Sequence, residues 1–226
     1  MESSQPFVHA PLQLALWCLG AFLCGSIPFG LIVVKLLGRG DVRSKGSGNI
    51  GATNVSRVAG KGAGILVLIL DVAKGIVPVV LARRAGVMES FLPWIGFGAV
   101  LGHVFAPLLR FKGGKGVATA FGIILAVNWR LGALPLAFFV AALWLTRHVS
   151  LGSILAALMM PLEVVLLALS GPYGGFRALG EHAPYLMAWT SIAVLVIAKH
   201  HENIRRLQAG TESKLWDSKS EDEHHA

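Results

Sequence analysis

Two glycine-rich loops carry the side chains and backbone groups that could bind an anion. The first is Gly46-Ser-Gly-Asn-Ile-Gly-Ala-Thr-Asn54, which mixes glycine with hydroxyl and amide side chains. Glycine lets backbone N–H groups turn toward a phosphate, and the side chains add neutral donors. The second is Phe111-Lys-Gly-Gly-Lys-Gly-Val-Ala-Thr119, which adds two ammonium groups to the same kind of backbone. Two such loops in one chain predict the binding of phosphorylated substrates.

Neither loop fits a nucleotide-binding motif in full. Gly46, Gly48 and Gly51 match the dinucleotide pattern GxGxxG, but that pattern requires a preceding strand and a βαβ unit. Apolar spans flank this loop instead. The Walker phosphate loop needs glycine five positions before Gly114, where Leu109 stands. What remains is a looser prediction of backbone and lysine donors around an anion.

Further candidates flank the first loop and close the last apolar run. Arg57 follows Asn54 by three positions and offers a planar fork for phosphate, whereas Lys115 acts as a point charge. The alternative interpretation is that both residues bind lipid headgroups at the membrane interface. Helical spacing places His200 and Asn203 on one face, and histidine can bind phosphate or move a proton near neutral pH. The alternative for His200 is a structural or capping role.

Four polar residues lie inside or at the start of apolar runs. Asp71 and Lys74 are three positions apart, so we expect an intrahelical ion pair in which Lys74 also bridges to another helix. Ser150 and Ser153 begin a later run, where they either cap the helix or reach the same polar site. No cysteine partner or HExxH spacing accompanies His200, so no metal site is expected.

The composition indicates an integral membrane protein. Of 226 residues, 54% are hydrophobic and 14% charged, with a mean hydropathy of +0.66. Soluble domains carry about 25% charged residues. The net charge of +8 is concentrated in loops, which reflects membrane topology rather than nucleic-acid binding. We expect residues 1–212 to form a single transmembrane catalytic domain and residues 213–226 a polar cytoplasmic tail.

The apolar runs predict an all-α fold with seven transmembrane helices. A helix needs about 20 residues to cross the hydrocarbon layer. The fourth run is short and covers about half a bilayer, so a tilted or re-entrant segment, or six spans in total, is the alternative. The predicted spans are Leu12–Leu37, Ala63–Ala82, Phe91–Leu109, Val117–Val127, Leu131–Leu145, Val149–Leu169 and Tyr185–Ala198.

The basic residues are distributed unevenly between the two sides of these spans. With the C-terminus in the cytoplasm, fifteen lysine and arginine residues lie inside or at that boundary and four lie outside, with Lys74 within a span. Cytoplasmic loops carry such an excess, so the N-terminus is predicted to face outward. The inner set is Lys35, Arg39, Arg43, Lys45, Arg57, Lys61, Arg110, Lys112, Lys115, Arg147, Lys199, Arg205, Arg206, Lys214 and Lys219; the outer set is Arg83, Arg84, Arg130 and Arg177.

This orientation puts both glycine-rich loops on the cytoplasmic side. The hydroxyl and amide groups of Ser47, Asn49, Thr53, Asn54 and Thr119 exceed what the positive-inside rule requires. A polar site at the membrane surface explains them better than flexible loop chemistry does.

Six blocks taken together resemble the bacterial membrane family of acyl-phosphate:glycerol-3-phosphate acyltransferases, the PlsY family. The similarity runs from about Gly25 to Glu212, in the family's order and spacing, with histidine at position 201 where the family has arginine. The matching blocks are Gly25-Ser-Ile-Pro-Phe-Gly30, Gly46 to Asn54, Gly102-His103, Phe111 to Thr119, Val149-Ser-Leu-Gly-Ser153 and His201-Glu-Asn-Ile-Arg205.

The resemblance implies a seven-span enzyme of the bacterial inner membrane that starts phospholipid synthesis. It would move a fatty acyl group from acyl phosphate to the 1-hydroxyl of sn-glycerol 3-phosphate, giving lysophosphatidic acid and phosphate. No cofactor and no thioester donor are implied. The HxxxxD motif of the commoner glycerol-phosphate acyltransferases is absent, because none of the eight histidines has aspartate five positions later. The expected partners are the two substrates and membrane lipids.

The resemblance also assigns the site residues. It implies glycerol 3-phosphate binding by the candidate catalytic set, and acyl phosphate binding by Asn49, Thr53 and Ser153. The candidate catalytic set is Ser47, Arg57, Lys115, His200 and Asn203. The candidate substrate-binding set is Gly46, Gly48, Asn49, Thr53, Asn54, Lys112, Gly113, Gly114, Gly116, Ser150 and Ser153.

Three alternatives to this chemistry are open at the level of sequence. A transporter or scramblase of phosphorylated molecules is disfavoured, because the chain shows no repeated halves. An alcohol phosphotransferase needs an aspartate cluster, whereas Asp41 and Asp71 are the only aspartates before Asp217. An acyl-enzyme at Ser47 is disfavoured, because no acid is visible to orient a base beside it. The base for the acceptor hydroxyl is His200 or a substrate phosphate, and the resemblance favours the substrate.

Overall fold

The computed structural model describes residues 11–170 and 183–215, and all regular structure within them is helical. The predicted outer residue Arg177 and the predicted tail beyond position 215 lie outside these ranges. Short 3₁₀ turns connect some of the helices. The helices are α1 (Pro11–Gly25), α2 (Phe29–Leu36), α3 (Ala52–Ala59), α4 (Lys61–Arg84), α5 (Leu92–Val104), α6 (Val117–Asn128), α7 (Ala133–Thr146), α8 (Val149–Ser170), α9 (Ala183–Ala198) and α10 (His201–Gln208).

Five helical stretches in the described residues are long and apolar enough to cross a membrane, and a sixth is added if α9 and α10 form one broken span bent by 55°. The all-α membrane architecture is thus confirmed. The larger count, six, is one below the predicted seven. The reason is that α6 and α7, which were predicted as two spans, together form one apolar stretch by length and composition. The five stretches are Pro11–Leu36, Lys61–Arg84, Glu89–Leu109, Val117–Thr146 and Val149–Leu169.

The first span is broken between α1 and α2. Pro28 precedes α2 and has no N–H to continue the helical hydrogen bonds. At this break the Ile27 carbonyl oxygen accepts from the Phe29 N–H at 3.1 Å and also from the Lys74 ammonium at 3.1 Å. The same ammonium lies 2.9 Å from the Asp71 carboxylate on its own helix. The predicted ion pair and its bridge to another helix are therefore confirmed.

Glycines set the close packing of neighbouring helices. A Cβ on Gly98 or Gly102 of α5 would meet backbone atoms of α1, and a Cβ on Gly75 of α4 would meet the backbone of α6 at Thr119. Small residues allow helix backbones to approach in this way inside membranes. The buried core between the helices includes Trp189, whose side chain is fully enclosed.

The two glycine-rich loops lie at the same end of the bundle. Val42 and Ile50, beside and within the first loop, share a buried apolar cluster with Ala106 and Leu109, which precede the second loop. At the opposite end, the Arg83 guanidinium binds the Glu89 carboxylate at 2.7 Å and the carbonyl oxygens at the end of α6. The fold thus separates a loop-rich end from an end of short connections.

Candidate active site

Asn54 organises the first loop from within. Its side-chain oxygen accepts a hydrogen bond from the Ser47 backbone N–H at 2.8 Å. Its amide nitrogen lies within hydrogen-bonding distance of the carbonyl oxygens of Val42, Lys45 and Asn49, at 2.9 to 3.2 Å. The residue is 2% exposed. The amide expected to bind substrate is therefore engaged in shaping the loop.

The other polar groups of the first loop divide between structure and surface. Asn49 accepts a hydrogen bond from the Gly51 N–H at 2.8 Å, which turns the chain into α3. Gly46 and Gly48 have φ angles of 57° and 70°, which glycine adopts without strain. Ser47 is exposed, and its hydroxyl has no partner among the described residues. Thr53 is half-buried in the first turn of α3. The Ser47 hydroxyl is thus free to meet a ligand.

The second loop corrects one expectation about its glycines. The N–H groups of Gly113 and Gly114 donate at 3.1 Å to the carbonyl oxygens of Val104 and His103, at the C-terminal end of α5. A Cβ on Gly113 would overlap the His103 carbonyl oxygen, and one on Gly114 would overlap the His103 ring. These glycines therefore seat the loop on α5, and their N–H groups do not point toward a phosphate.

The donors of the second loop come instead from the start of α6. Gly116 has a φ of 81° and precedes the helix directly. The first N–H groups of a helix have no partner within it and attract anions. Within the described chain, the N–H groups of Val117 and Ala118 have no backbone acceptor, so they are free for an anion. Lys112 is exposed nearer the surface, where it lines a recess of about 420 Å³ together with Arg43 and Arg110.

Lys115 connects the second loop to the C-terminal motif. Its ammonium donates a hydrogen bond to the side-chain oxygen of Asn203, which is 5% exposed in the first turn of α10. Burial lowers the pKa of Lys115 to about 8, with Glu212 opposing the shift and the cations of Arg206 and Arg57 adding to it. Arg57, exposed at the end of α3, is thus close enough to act electrostatically on Lys115. Of the five candidate catalytic residues, Lys115 and Asn203 are therefore in contact, with Arg57 within electrostatic range.

Glu212 is a site residue that the sequence analysis did not single out. One oxygen of its carboxylate accepts hydrogen bonds from Ser150 and from Asn203, both at 2.6 Å. The other accepts from Arg206 at 2.7 Å. The one available signal was an acidic residue in a strongly basic C-terminal segment. Ser150 therefore does not cap α8 with its side chain, but joins the polar cluster through Glu212.

His200 is held in one tautomer beside this cluster. The residue is 2% exposed, and its Nδ1 lies 2.7 Å from the Val196 carbonyl oxygen. A carbonyl only accepts, so Nδ1 carries a proton and Nε2 is the remaining nitrogen. The ring lies within electrostatic range of Lys115 and Glu212. His201, where the related family has arginine, is exposed and bonds the Ala198 carbonyl at the end of α9.

Two further observations delimit the site. Ser153 is 3% exposed, but its hydroxyl donates to the Val149 carbonyl oxygen on its own helix at 2.8 Å. Within residues 11–170 and 183–215, no group of three His, Cys, Asp or Glu side chains could hold a metal ion. The described cluster is therefore built from cations, amides, hydroxyls and one carboxylate.

His103 and Thr119 form a second support beneath the loop. The Thr119 hydroxyl lies 3.3 Å from His103 Nδ1, and both residues are buried. The same ring nitrogen lies 3.8 Å from the Asp71 carboxylate, which pairs with Lys74. The polar groups inside the spans thus hold the end of α5 and the start of α6, on which the second loop is seated.

The sequence is similar to known enzymes along most of its length. The sequence model of the family described as glycerol-3-phosphate acyltransferase matches residues 15–210. A glycerol-3-phosphate acyltransferase of Trichlorobacter lovleyi is 50% identical over 202 residues, which cover 88% of this chain and 96% of the relative. A glycerol-3-phosphate acyltransferase of Geobacter sulfurreducens is 47% identical over 196 residues, which cover 86% and 94% of the two chains.

The fold is also similar to two crystal structures of PlsY, an integral membrane glycerol 3-phosphate acyltransferase. The glycerol 3-phosphate form superposes with a TM-score of 0.78 at 36% identity, over 89% of this chain and 94% of that one. The lysophosphatidic acid form gives a TM-score of 0.76 at 35% identity, with the same coverage.

Proposed function

This chain belongs to the glycerol-3-phosphate acyltransferase family, and we propose that acyl phosphate is its acyl donor. The fatty acyl group passes to the 1-hydroxyl of sn-glycerol 3-phosphate. The products are 1-acyl-glycerol 3-phosphate (lysophosphatidic acid) and inorganic phosphate. The enzyme therefore acts in phospholipid synthesis, on one soluble substrate and one substrate whose chain lies in the membrane.

The observation that carries this proposal is the contact of Lys115 with Asn203 beside the start of α6, with Arg57 within electrostatic range of the ammonium. An ammonium, a guanidinium and the free N–H groups of a helix N-terminus are the groups that bind a phosphate dianion. Ser47 and His200 complete the proposed acceptor site from the first loop and the end of α9. Related structures of an enzyme in its glycerol 3-phosphate and lysophosphatidic acid forms support this choice of acceptor.

The donor site is proposed to use the first loop and the exposed part of the second. Gly46, Gly48 and Asn49 adjoin the exposed Ser47 in the first loop, and Thr53 is half-buried in the first turn of α3. Lys112 offers a cation at the surface. Asn54, Gly113 and Gly114 contribute through the shape of their loops, since their polar groups are engaged within the protein. The inward-facing Ser153 leaves only Ser150 of the pair in contact with the polar cluster.

An acyl phosphate needs no covalent intermediate on the enzyme. It is a mixed anhydride with phosphate as its leaving group, so the acceptor hydroxyl attacks the acyl carbon directly. The new bond joins the glycerol oxygen to that carbon, and the bond from the carbon to the phosphate oxygen breaks. The hydroxyl proton passes to a substrate phosphate. The protein holds two mutually repelling anions together and stabilises the developing oxyanion with its donors, and no metal is required.

The proposed topology has seven crossings, with the N-terminus outside and the C-terminus in the cytoplasm. The turn between α6 and α7 supports it, because the two ends of this stretch lie at the same end of the bundle. Lys115 precedes α6 and bonds Asn203, while the Arg147 carbonyl after α7 accepts from the Leu215 N–H at 2.8 Å. The carbonyls at the far end of α6 bond Arg83 instead. The active site then lies at the cytoplasmic face of the bacterial inner membrane.

The test is a two-donor assay on the purified full-length chain. The protein is incubated with glycerol 3-phosphate and either palmitoyl phosphate or a palmitoyl thioester, and lysophosphatidic acid and phosphate are measured. We expect product from the acyl phosphate alone, and no loss of activity in excess chelator. Product from the thioester alone would replace the proposed donor, and the absence of product with either donor would refute the proposed reaction.

A further inference from the structure

Glu212 is a buried carboxylate surrounded by three side-chain donors from two segments of the chain. Its side chain is 8% exposed, and it accepts from Ser150 at the start of α8, and from Asn203 and Arg206 on α10. Every one of these bonds is between 2.6 and 2.7 Å, as expected of hydrogen bonds to a charged acceptor.

The carboxylate decides which way the Asn203 amide faces. A carboxylate only accepts hydrogen bonds, so the amide nitrogen of Asn203 must point toward Glu212. The amide oxygen is then turned to the Lys115 ammonium, from which it accepts. If the amide were reversed, its nitrogen would meet an ammonium and its oxygen a carboxylate, and both bonds would be lost. Glu212 therefore acts on Lys115 through Asn203.

The backbone fixes Glu212 in place. Its carbonyl oxygen accepts from the His148 ring at 3.2 Å, and the Leu215 N–H donates to the Arg147 carbonyl oxygen at 2.8 Å. On the other side, the Thr211 N–H donates to the Arg206 carbonyl oxygen at 2.8 Å. The segment 210–215 thus crosses from the end of α10 to the start of α8. This segment forms a strap that holds the carboxylate against the site.

Charge is the second route by which Glu212 acts. Burial opposes ionisation of its carboxylate, but the hydrogen bonds from Ser150, Arg206 and Asn203 outweigh that cost and lower its pKa. It therefore stays anionic near neutral pH and favours the charged form of Lys115. The other charged groups acting on Lys115 are Arg57 on α3 and the Arg206 and Glu202 side chains on α10.

We propose that Glu212 is a positioning residue for the acceptor site, orienting Asn203 so that the Lys115 ammonium is held ready for the phosphate of glycerol 3-phosphate. This inference rests on the proposed function, because it assigns Lys115 and Asn203 to that substrate. It adds Glu212 to the side chains that position the acceptor site.

The test replaces Glu212 by glutamine and by aspartate. Glutamine keeps the size but loses the charge, and because its amide nitrogen can donate to the Asn203 oxygen, it no longer forces Asn203 into one orientation. We expect Glu212→Gln to raise the KM for glycerol 3-phosphate about tenfold while the KM for acyl phosphate stays within about twofold. The alkaline limb of kcat/KM should move down by about half a pH unit or more, because Lys115 loses its neighbouring anion.

Two further variants separate position from charge and from fold. Glu212→Asp keeps the charge on a shorter side chain. The pH at which kcat/KM declines on the alkaline side should therefore return toward the wild-type value, while the KM for glycerol 3-phosphate stays raised. Thr211→Val is the matched control in the strap, since the exposed Thr211 hydroxyl makes only a 3.5 Å contact with the Arg206 carbonyl. It should behave as wild type in both KM values and in its thermal unfolding.

The outcomes are distinguishable. An unchanged KM ratio and pH limb in Glu212→Gln overturn the positioning role, and an equal rise in both KM values reduces Glu212 to a structural residue and overturns it too. If Glu212→Gln does not fold, the KM ratio of Glu212→Asp decides, with an unchanged ratio counting against the proposal. A wild-type enzyme that makes no lysophosphatidic acid from acyl phosphate would instead refute the proposed function.

Discussion

The Lys115 ammonium donates a hydrogen bond to the side-chain oxygen of Asn203, 88 positions later in the chain. Lys115 lies in the second glycine-rich loop and Asn203 lies in the first turn of α10, so the contact joins two motifs across the bundle. The ammonium also lies within electrostatic range of Arg57 on α3. This relationship brings three separate polar segments of a membrane protein to one place.

Arg57→Ala should weaken acceptor binding selectively. Arg57 is exposed and within electrostatic range of Lys115, and the proposed function assigns its guanidinium to the phosphate of glycerol 3-phosphate. We expect the KM for that substrate to rise about tenfold or more, and the KM for acyl phosphate to change less than about twofold. Steady-state kinetics with each substrate varied in turn measures both. Arg84→Ala, at the opposite end of α4, is the control, and an equal rise in both KM values would contradict the assignment.

Activity should decline as the pH rises through about 8. Burial lowers the pKa of Lys115 to about 8, so the ammonium that we propose binds phosphate is present below this pH and lost above it. The acceptor phosphate is already dianionic there, since its second pKa is about 6. A pH profile of kcat/KM for glycerol 3-phosphate measures the limb. Lys115→Arg should move the limb upward because arginine stays charged. A wild-type profile that is flat from neutral pH to about pH 9 would be inconsistent with this role.

Gly113→Ala should destabilise the enzyme, whereas Gly62→Ala should not. A Cβ on Gly113 would overlap the His103 carbonyl oxygen and lie 2.8 Å from that of Val104, while nothing lies within 4 Å of a Cβ on Gly62. Overpacking of this kind costs about 2 kcal/mol. Thermal unfolding in detergent should show a lower Tm and reduced activity for Gly113→Ala alone. Equal Tm values for the two variants would argue against the tight seat of the loop on α5.

A cysteine at position 112 should react from the cytoplasmic side. Lys112 is exposed, unlike Gly113, where any side chain meets the end of α5. In a background with Cys18→Ala and Cys24→Ala, Lys112→Cys should be labelled by a membrane-impermeant maleimide only in inside-out vesicles. Arg84→Cys, at the opposite end, should be labelled only in right-side-out vesicles. The reverse pattern would invert the proposed topology.

The parts of the site that were predictable from sequence are those with a local signal. Long apolar runs predicted membrane helices because the bilayer core excludes unpaired polar groups. Spacing predicted the pair of Asp71 and Lys74, since residues three apart share a helix face. The block of motifs predicted the family. Residue types likewise pointed to Lys115 and Asn203 as candidates, although no spacing rule relates them.

The use of each donor was decided only by the fold. Asn54, Gly113 and Gly114 have the composition of phosphate ligands, yet their polar groups are engaged by the loop itself or by the end of α5. Glu212 had no motif to mark it, and it binds Ser150 from 62 positions away. A hydrogen bond forms only where the fold brings a donor and an acceptor close together, and the residue types alone do not contain that information.

The sequence by itself determined the membrane setting, the polar loops and the chemistry available to them, because hydropathy, charge and residue type are properties of each segment alone. Tertiary structure decided which groups remain free for substrate and which are used to build the site. The half-buried Lys115 ammonium and the strap carrying Glu212 both depend on distant segments packing together.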